Sequence, residues 1–398
     1  MMFKHVMGTD MNKSVSGRST TKAWIIGLVP LFPLLYLASL ATLRNVFRLP
    51  QWVILSLGVF ATMQMLSVVW SPFPLEGFFF TALRTTLIVA LVVAGYQLRD
   101  TRWLTYLMFG QAASLVVAMV FTASQHGLDV LNMRLVHPFY YAVGLGLMAT
   151  IGLLITLESR LSRWPKLALC LLFVSGVLLS GTRSAMAASI LGSLVLILQR
   201  LDFKRLLGFG LVLTAMTTVM LSIPNSIIGR RIKDGFGLSG RDLIWSDVLS
   251  AFKNHPWGGV GTFRVGYHIP HALGVSLPKD CSAALGMPCS DLIDRVWHAA
   301  LIAHNLWLHS LTENGILGTI GLMTLLCAGA YAVFRAKSAL ISSLFIAYMA
   351  ISLVDNPTAV PGLHIGETFY VVLGMAFAQA AKNREPQAGG SSTPKPTQ

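Results

Sequence analysis

The chain has 398 residues, 54% of them hydrophobic and only 12% charged, with a mean hydropathy of +0.66. A soluble domain carries about 25% charged residues, so a water-soluble globule is excluded and a polytopic membrane protein is expected. The formal charge of +14 would suit nucleic acid, but the cations are distributed among loops between apolar runs, which is the pattern of membrane topology.

Residues 1–22 form a polar, basic tail. It has no apolar core followed by a small-residue cleavage site, so no cleavable signal peptide is expected. Residues 23–223 read as a transmembrane bundle. Its first segment, 23–43, carries Pro30 and Pro33 in mid-run and is read as two short half-spans or a re-entrant hairpin, which is tolerated where protein covers it. Apolar stretches follow near 51–70, 79–95, 103–122, 138–157, 167–179, 185–198 and 206–223. One large polar loop fills 224–303. The closing section, 304–381, holds apolar stretches at 313–333, 338–354 and 365–381, and a disordered tail covers 382–398. The expected fold is all-α and polytopic, with about 12 transmembrane helices and one large, partly helical periplasmic loop. If 23–43 crosses once, the count is eleven and the N-terminus lies outside.

Basic residues sort the short loops into two alternating sets. One set includes Arg44 and Arg48, Arg99 and Arg102, Arg160 and Arg163, Arg200 and Lys204, Arg335 and Lys337, and the two tails; the other offers only Arg134 and Arg183. The positive-inside rule makes the richer set cytoplasmic and puts both termini there. The 224–303 loop then falls on the outer face. Its cations, exempt from that rule in a long loop, suit an anionic ligand or anionic lipid head groups. Cys281 and Cys289 lie in this loop. In an oxidising periplasm they would form a disulfide; the other reading, a zinc pair, lacks a second pair to complete it.

Several residues could carry chemistry. Arg183 stands in the tight turn Ser180-Gly181-Thr182-Arg183-Ser184. Arginine is costly near hydrocarbon and its fork grips phosphate bidentately, though it could also snorkel to head groups. Arg241, in Ser239-Gly240-Arg241-Asp242-Leu243-Ile244-Trp245, begins an expected helix with Ser239 as a candidate N-cap; it could simply pair with Asp242. Downstream, Pro256 to Gly261 form a glycine-rich turn, followed by Arg264. Arg84 lies just inside a span and is either a third phosphate contact or a snorkelling side chain. His304 and Asn305 open a run in which Gly315, Gly318 and Gly321 recur at every third residue, suiting close helix packing. An imidazole at a membrane face is a candidate for proton transfer at neutral pH; His255, His268, His271, His298 and His309 compete with His304 for that role. No Asp-x-Asp pair for a divalent metal is present, and Glu313, Asp355 and Glu367 read as scattered single acids. No metal site and no cofactor are expected.

Four pieces together resemble the O-antigen ligase and polymerase superfamily: Ser180-Gly181-Thr182-Arg183, Gly240-Arg241 with Trp245, Pro256 through Gly261, and the His-Asn run. The ligase pattern is His, then Asn, Ser or Gln, nine residues, Gly, two residues, then Gly or a similar residue; His304, Asn305, Gly315 and Gly318 fit it. The resemblance implies a metal-independent, inverting glycosyltransferase of the bacterial inner membrane with its active site facing the periplasm. Its donor would be a glycan on undecaprenyl pyrophosphate and its acceptor a sugar hydroxyl of lipid A-core. His304, Arg183 and Arg241 would be catalytic, with Arg84, Asn305 and Arg264 binding substrate. A polymerase of the same superfamily, a protein glycosyltransferase and a lipid-sugar transporter are the other readings; membrane lipids are expected partners and nucleic acid is not.

Overall fold

Inside a bilayer a helix satisfies every backbone N–H and C=O within its own segment, and among the described residues the apolar runs adopt it. The computed structural model describes residues 32–127, 132–137, 140–200, 241–269, 302–358 and 366–383, with isolated helical residues between 210 and 222. Among them there is no strand. The helices are α1 (Phe32–Thr42), α2 (Gln51–Ser67), α3 (Pro74–Leu98), α4 (Trp103–His126), α5 (Ala142–Glu158), α6 (Arg163–Leu179), α7 (Arg183–Arg200), α8 (Arg241–Asn254), α9 (Leu306–Ala336), α10 (Ala339–Ser352) and α11 (Gly366–Lys382). Short 3-10 turns follow α1 (Leu43–Arg48) and α2 (Val68–Trp70), and one more, Val265–His268, sits in the 241–269 loop.

Four helical segments among the described residues are long and apolar enough to cross a membrane: Gln51–Trp70, Pro74–Leu98, Trp103–His126 and Leu306–Ala336. Ala142–Glu158, Arg183–Gln199 and Ala339–Ser352 are apolar but shorter. At 17 residues, α5 is about 26 Å long, a few ångströms under a hydrocarbon core of about 30 Å. Within the segment expected to be broken, α1 covers 11 residues and so rises only about 16 Å; Pro30 and the rest of that segment's first half lie outside the described residues. So do the 1–22 tail, most of the expected 206–223 span, 224–240 and 270–301 of the loop with Cys281 and Cys289, and the tail beyond 383.

Small residues set the closest crossings. A Cβ on Gly95 of α3 would strike the Val371 carbonyl of α11, and one on Gly374 would strike the Val92 carbonyl in return. Without a hydrophobic drive between helices in lipid, such contacts supply packing directly. α5 is the central helix, buried from Gly144 to Thr156. In the glycine series of α9, Gly321 lets that helix close on α2, where a Cβ would sit 2.8 Å from the Met63 Cβ.

Gly315 does something different: it breaks α9. Its φ of 62° and ψ of −166° lie in a region that essentially only glycine occupies. The break would strand main-chain groups, and the Pro256–Gly261 turn supplies their partners. Ile316 N donates to Pro256 O (2.8 Å) and Leu317 N to Trp257 O (3.3 Å), while Val260 N and Gly261 N donate to Thr312 O (2.8 Å) and Glu313 O (2.9 Å). The glycine-rich turn is thus stitched into the gap in the helix, as buried backbone requires. Room is tight: a Cβ on Gly315 would strike the Trp257 carbonyl, and one on Gly259 would lie 2.6 Å from Asn314 N.

Gly315→Ala should therefore be far more damaging than Gly127→Ala. Gly127 also has a positive φ (57°) but nothing lies within 4 Å of its Cβ direction. Both variants carry on the order of 1–3 kcal/mol of backbone strain; only Gly315→Ala adds a clash with main chain. Thermal unfolding in detergent should show a drop for Gly315→Ala at least twice that for Gly127→Ala, and equal drops would contradict the stitched arrangement.

Candidate functional site

The site grows from the start of α9. Asn305 is the N-cap, its Oδ1 accepting from Leu308 N at 3.0 Å, which satisfies one of the donors a helix start leaves open. Its Nδ2 donates to Leu353 O at 2.7 Å, so the same amide ties α9 to the chain leaving α10. His304, one residue earlier, has a φ of 48° and a side chain 34% exposed. Its Nδ1 lies 3.3 Å from Asp355 Oδ1. The Asp355 side chain is 1% exposed and its Oδ1 also accepts from Asn356 N at 2.8 Å.

Arg241 reaches the same carboxylate. It is the first residue of α8, with Nη2 3.6 Å from Asp355 Oδ2 and Nη1 donating to Val354 O. Trp245, four residues on and therefore on the same helix face, donates from Nε1 to Ala303 O at 2.9 Å. One turn further, Val248 O accepts from Thr312 Oγ1 at 3.0 Å. The Arg241–Trp245 spacing is thus the spacing that docks α8 across the His-Asn turn.

A second polar cluster lies behind it. Arg84 Nη1 donates to Glu313 Oε2 and Nη2 to Asn314 Oδ1 at 2.9 Å; Gln64 Oε1 and Thr262 Oγ1 each stand 3.5 Å from Nη2. Phe263 N donates to Glu313 Oε1 at 2.6 Å, and the Arg84 guanidinium lies 5.6 Å from the Phe263 ring centroid. Arg264 pairs with Glu76 at 2.7 Å and lies 3.6 Å over the Phe73 ring, pinning the loop to the start of α3. Burial holds the nearby His268 below its ordinary pKa, and His255 and Arg264 push the same way. His271 and His298 lie outside the described residues.

Arg183 heads α7, after the left-handed Gly181 (φ 61°). Its turn is held by Arg134, whose Nε donates to Ser180 O at 3.0 Å and Nη2 to Thr182 Oγ1 at 3.3 Å, and by Leu135 N, which donates to Leu179 O at 3.1 Å. The structure therefore brings His304 and Arg241 together at Asp355, with Asn305 held nearby on Leu353 O. It sets Arg84 and Arg264 among carboxylates on the far side of the loop, and Arg183 on its own turn. Sequence reasoning named Asp355, Glu313 and Arg134 but gave none of them its partner. The signal for the two acids was their setting: a carboxylate within or at the end of an apolar span is costly unless it has a cationic partner.

Residues 168–323 match the family model described as O-antigen ligase. The matched stretch contains Arg183, Arg241, Arg264, His304 and Asn305, and leaves out Arg84 and Asp355. It supports an O-antigen ligase-type protein of the superfamily that also holds the polymerases, and with it a glycosyltransferase-like membrane enzyme working on lipid-linked glycans. No curated protein matches the chain.

With side chains 12% and 2% exposed, Arg84 and Glu313 form a buried pair. Removing one partner of such a pair costs about 3–5 kcal/mol. Glu313→Gln should lower the unfolding temperature in detergent sharply. Adding Arg84→Met should restore part of the loss, because no unpaired charge then stays buried.

Proposed function

We propose that this protein is an O-antigen ligase. It moves a glycan from undecaprenyl pyrophosphate to a sugar hydroxyl of lipid A-core at the periplasmic face of the bacterial inner membrane, completing lipopolysaccharide without a metal. The observation that carries this reading is the convergence of His304 and Arg241 on the buried Asp355 carboxylate, at 3.3 Å and 3.6 Å.

The geometry suits one displacement. Asp355 accepts from Nδ1–H of His304, which leaves the Nε2 lone pair for the acceptor, the arrangement by which a carboxylate fixes the tautomer of a catalytic imidazole. Nε2 takes the hydroxyl proton as the oxygen attacks the anomeric carbon. The bond from that carbon to the pyrophosphate oxygen breaks on the opposite side, so configuration inverts and undecaprenyl pyrophosphate leaves with the electron pair. Arg241 and Arg183 stabilise the charge growing on it, the role cationic groups serve wherever charge develops in a transition state.

Arg183 fits by register. Gly192 O of α7 accepts from Ser343 Oγ of α10 at 2.8 Å. On the topology read from the charges these helices run in opposite directions. Nine residues back from Gly192 is Arg183, and nine on from Ser343 is Ser352, three short of Asp355. Arg84 and Arg264, paired with Glu313 and Glu76, suit holding the loop in place better than reaching a phosphate, and Asn305 suits placing His304.

In reconstituted membranes supplied with both lipid substrates and EDTA, His304→Ala should slow transfer by about 10²–10⁴-fold, the usual worth of a general base, with donor binding kept. Asp355→Asn should also lose most turnover while donor binding persists. Transfer by His304→Ala at the wild-type rate would remove the base assignment. A strain lacking the protein should accumulate long glycan on its carrier with none on lipid A-core; single units on core would instead identify the polymerase reaction.

A further inference from the structure

The His304 backbone is the point that needs explaining. A φ of 48° is disfavoured for any residue with a Cβ and persists only where the surroundings over-determine it. The preceding residue, Ala303, is fully buried, and its two polar groups are held from opposite sides. The carbonyl accepts from Trp245 Nε1 at 2.9 Å. The N–H donates to His309 Nδ1 at 3.4 Å. We infer that His309 is a positioning residue for the proposed base, holding His304 in its left-handed turn through the Ala303 N–H; the inference rests on the function proposed above.

Three observations carry it. First, the His309 ring is buried, its side chain 11% exposed, so it acts through protein rather than on substrate. Second, Nδ1 accepts a hydrogen bond, which puts the ring hydrogen on Nε2, the nitrogen 3.5 Å from Glu313 Oε2. Glu313 is in turn fixed by Arg84 and by Phe263 N. The imidazole is thus oriented at both nitrogens, as second-layer partners orient working groups elsewhere. Third, the hold continues on the other side of His304, where Asn305 caps α9 and grips Leu353 O. A continuous line of contacts runs from Arg84 through Glu313, His309 and Ala303 to His304, so the loop clamp and the proposed base share one support.

Two substitutions separate the contacts. His309→Asn places an amide oxygen near the Nδ1 position and can still accept from Ala303 N. His309→Gln places its amide near the Nε2 position, keeps a donor toward Glu313 and loses the Ala303 contact. In the reconstituted transfer assay, His309→Gln should lower kcat by about 10–100-fold, the scale of an ångström-sized misplacement, with KM for donor and acceptor within about two-fold. His309→Asn should recover most of that loss. Trp245→Phe, which removes the other hold on Ala303 but keeps an aromatic ring, should lower kcat with the same unchanged KM and serves if His309→Gln does not fold. Wild-type kcat in His309→Gln, or equal losses in the Asn and Gln variants, would overturn the inference. His304→Ala, run alongside, tells the two failures apart. If it is inactive while His309→Gln is normal, only the role of His309 falls; if it is fully active, the base assignment itself falls.

Discussion

Everything near the site depends on a helix that stops and starts again. α9 is interrupted at Gly315, and four main-chain hydrogen bonds to the Pro256–Gly261 turn replace what the interruption removes. In an apolar setting unsatisfied backbone is the most expensive defect available, so the turn has little freedom to sit elsewhere. Once it is fixed there, Thr262, Phe263 and Arg264 follow in set positions. They bring Glu313 to Arg84 and Glu76 to Arg264. The first turns of α9 then form a rigid platform on which α8 docks through Trp245 and Val248.

The distribution of charge follows from that platform. The basic outer loop together with Arg84 suggested a cage for an anion, yet Arg84 and Arg264 are matched by carboxylates at close range. Arg84 and Glu313 are nearly excluded from water, where mutual attraction is strong but desolvation is costly for both. Such a pair fixes geometry more than it offers charge to a ligand. Arg241 differs. Its ion-pair distance to Asp355 is 3.6 Å, longer than the 2.7–2.9 Å usual for a tight charge-assisted bond, and its side chain is 23% exposed. The proposed contact with the leaving phosphate is therefore given to Arg241 rather than to Arg84.

Much of this was legible in the sequence. The apolar runs marked the helices, and Arg241 marked the start of a helix in the outer loop. The His-Asn pair marked the start of α9, and the glycine spacing marked close packing against a neighbour, which at Gly321 is α2. Less legible were the partners. Asp355 is 51 positions from His304, Glu313 is 229 from Arg84, and Arg134 is 46 from Ser180. Local pattern says nothing about contacts at that separation, so Arg84 and, more weakly, Arg134 read as phosphate contacts or snorkelling side chains. Gly315 was hidden for another reason. A glycine at helical spacing looks the same whether it serves close packing or a break, and only the complementary glycine-rich turn, far upstream, distinguishes the two.

One further pattern could have been taken from the chain alone. Asn305, His309 and Glu313 recur at every fourth residue, and residues four apart lie above one another on a helix. A polar stripe of three such groups at the mouth of a membrane span cannot face lipid without large cost. It must face protein, and each member must find a partner there. The structure supplies one for each: Leu353 O for Asn305, Ala303 N for His309, and Arg84 for Glu313. The stripe ends just before the helix breaks at Gly315; beyond that point Gly321 brings α9 close to α2, where Gln64 Nε2 donates to Gly318 O at 2.8 Å. The stripe and the break are therefore two consequences of one requirement: polar groups at the mouth of a membrane helix must be met by protein, and a loop threaded into a helix gap can meet both side chains and backbone.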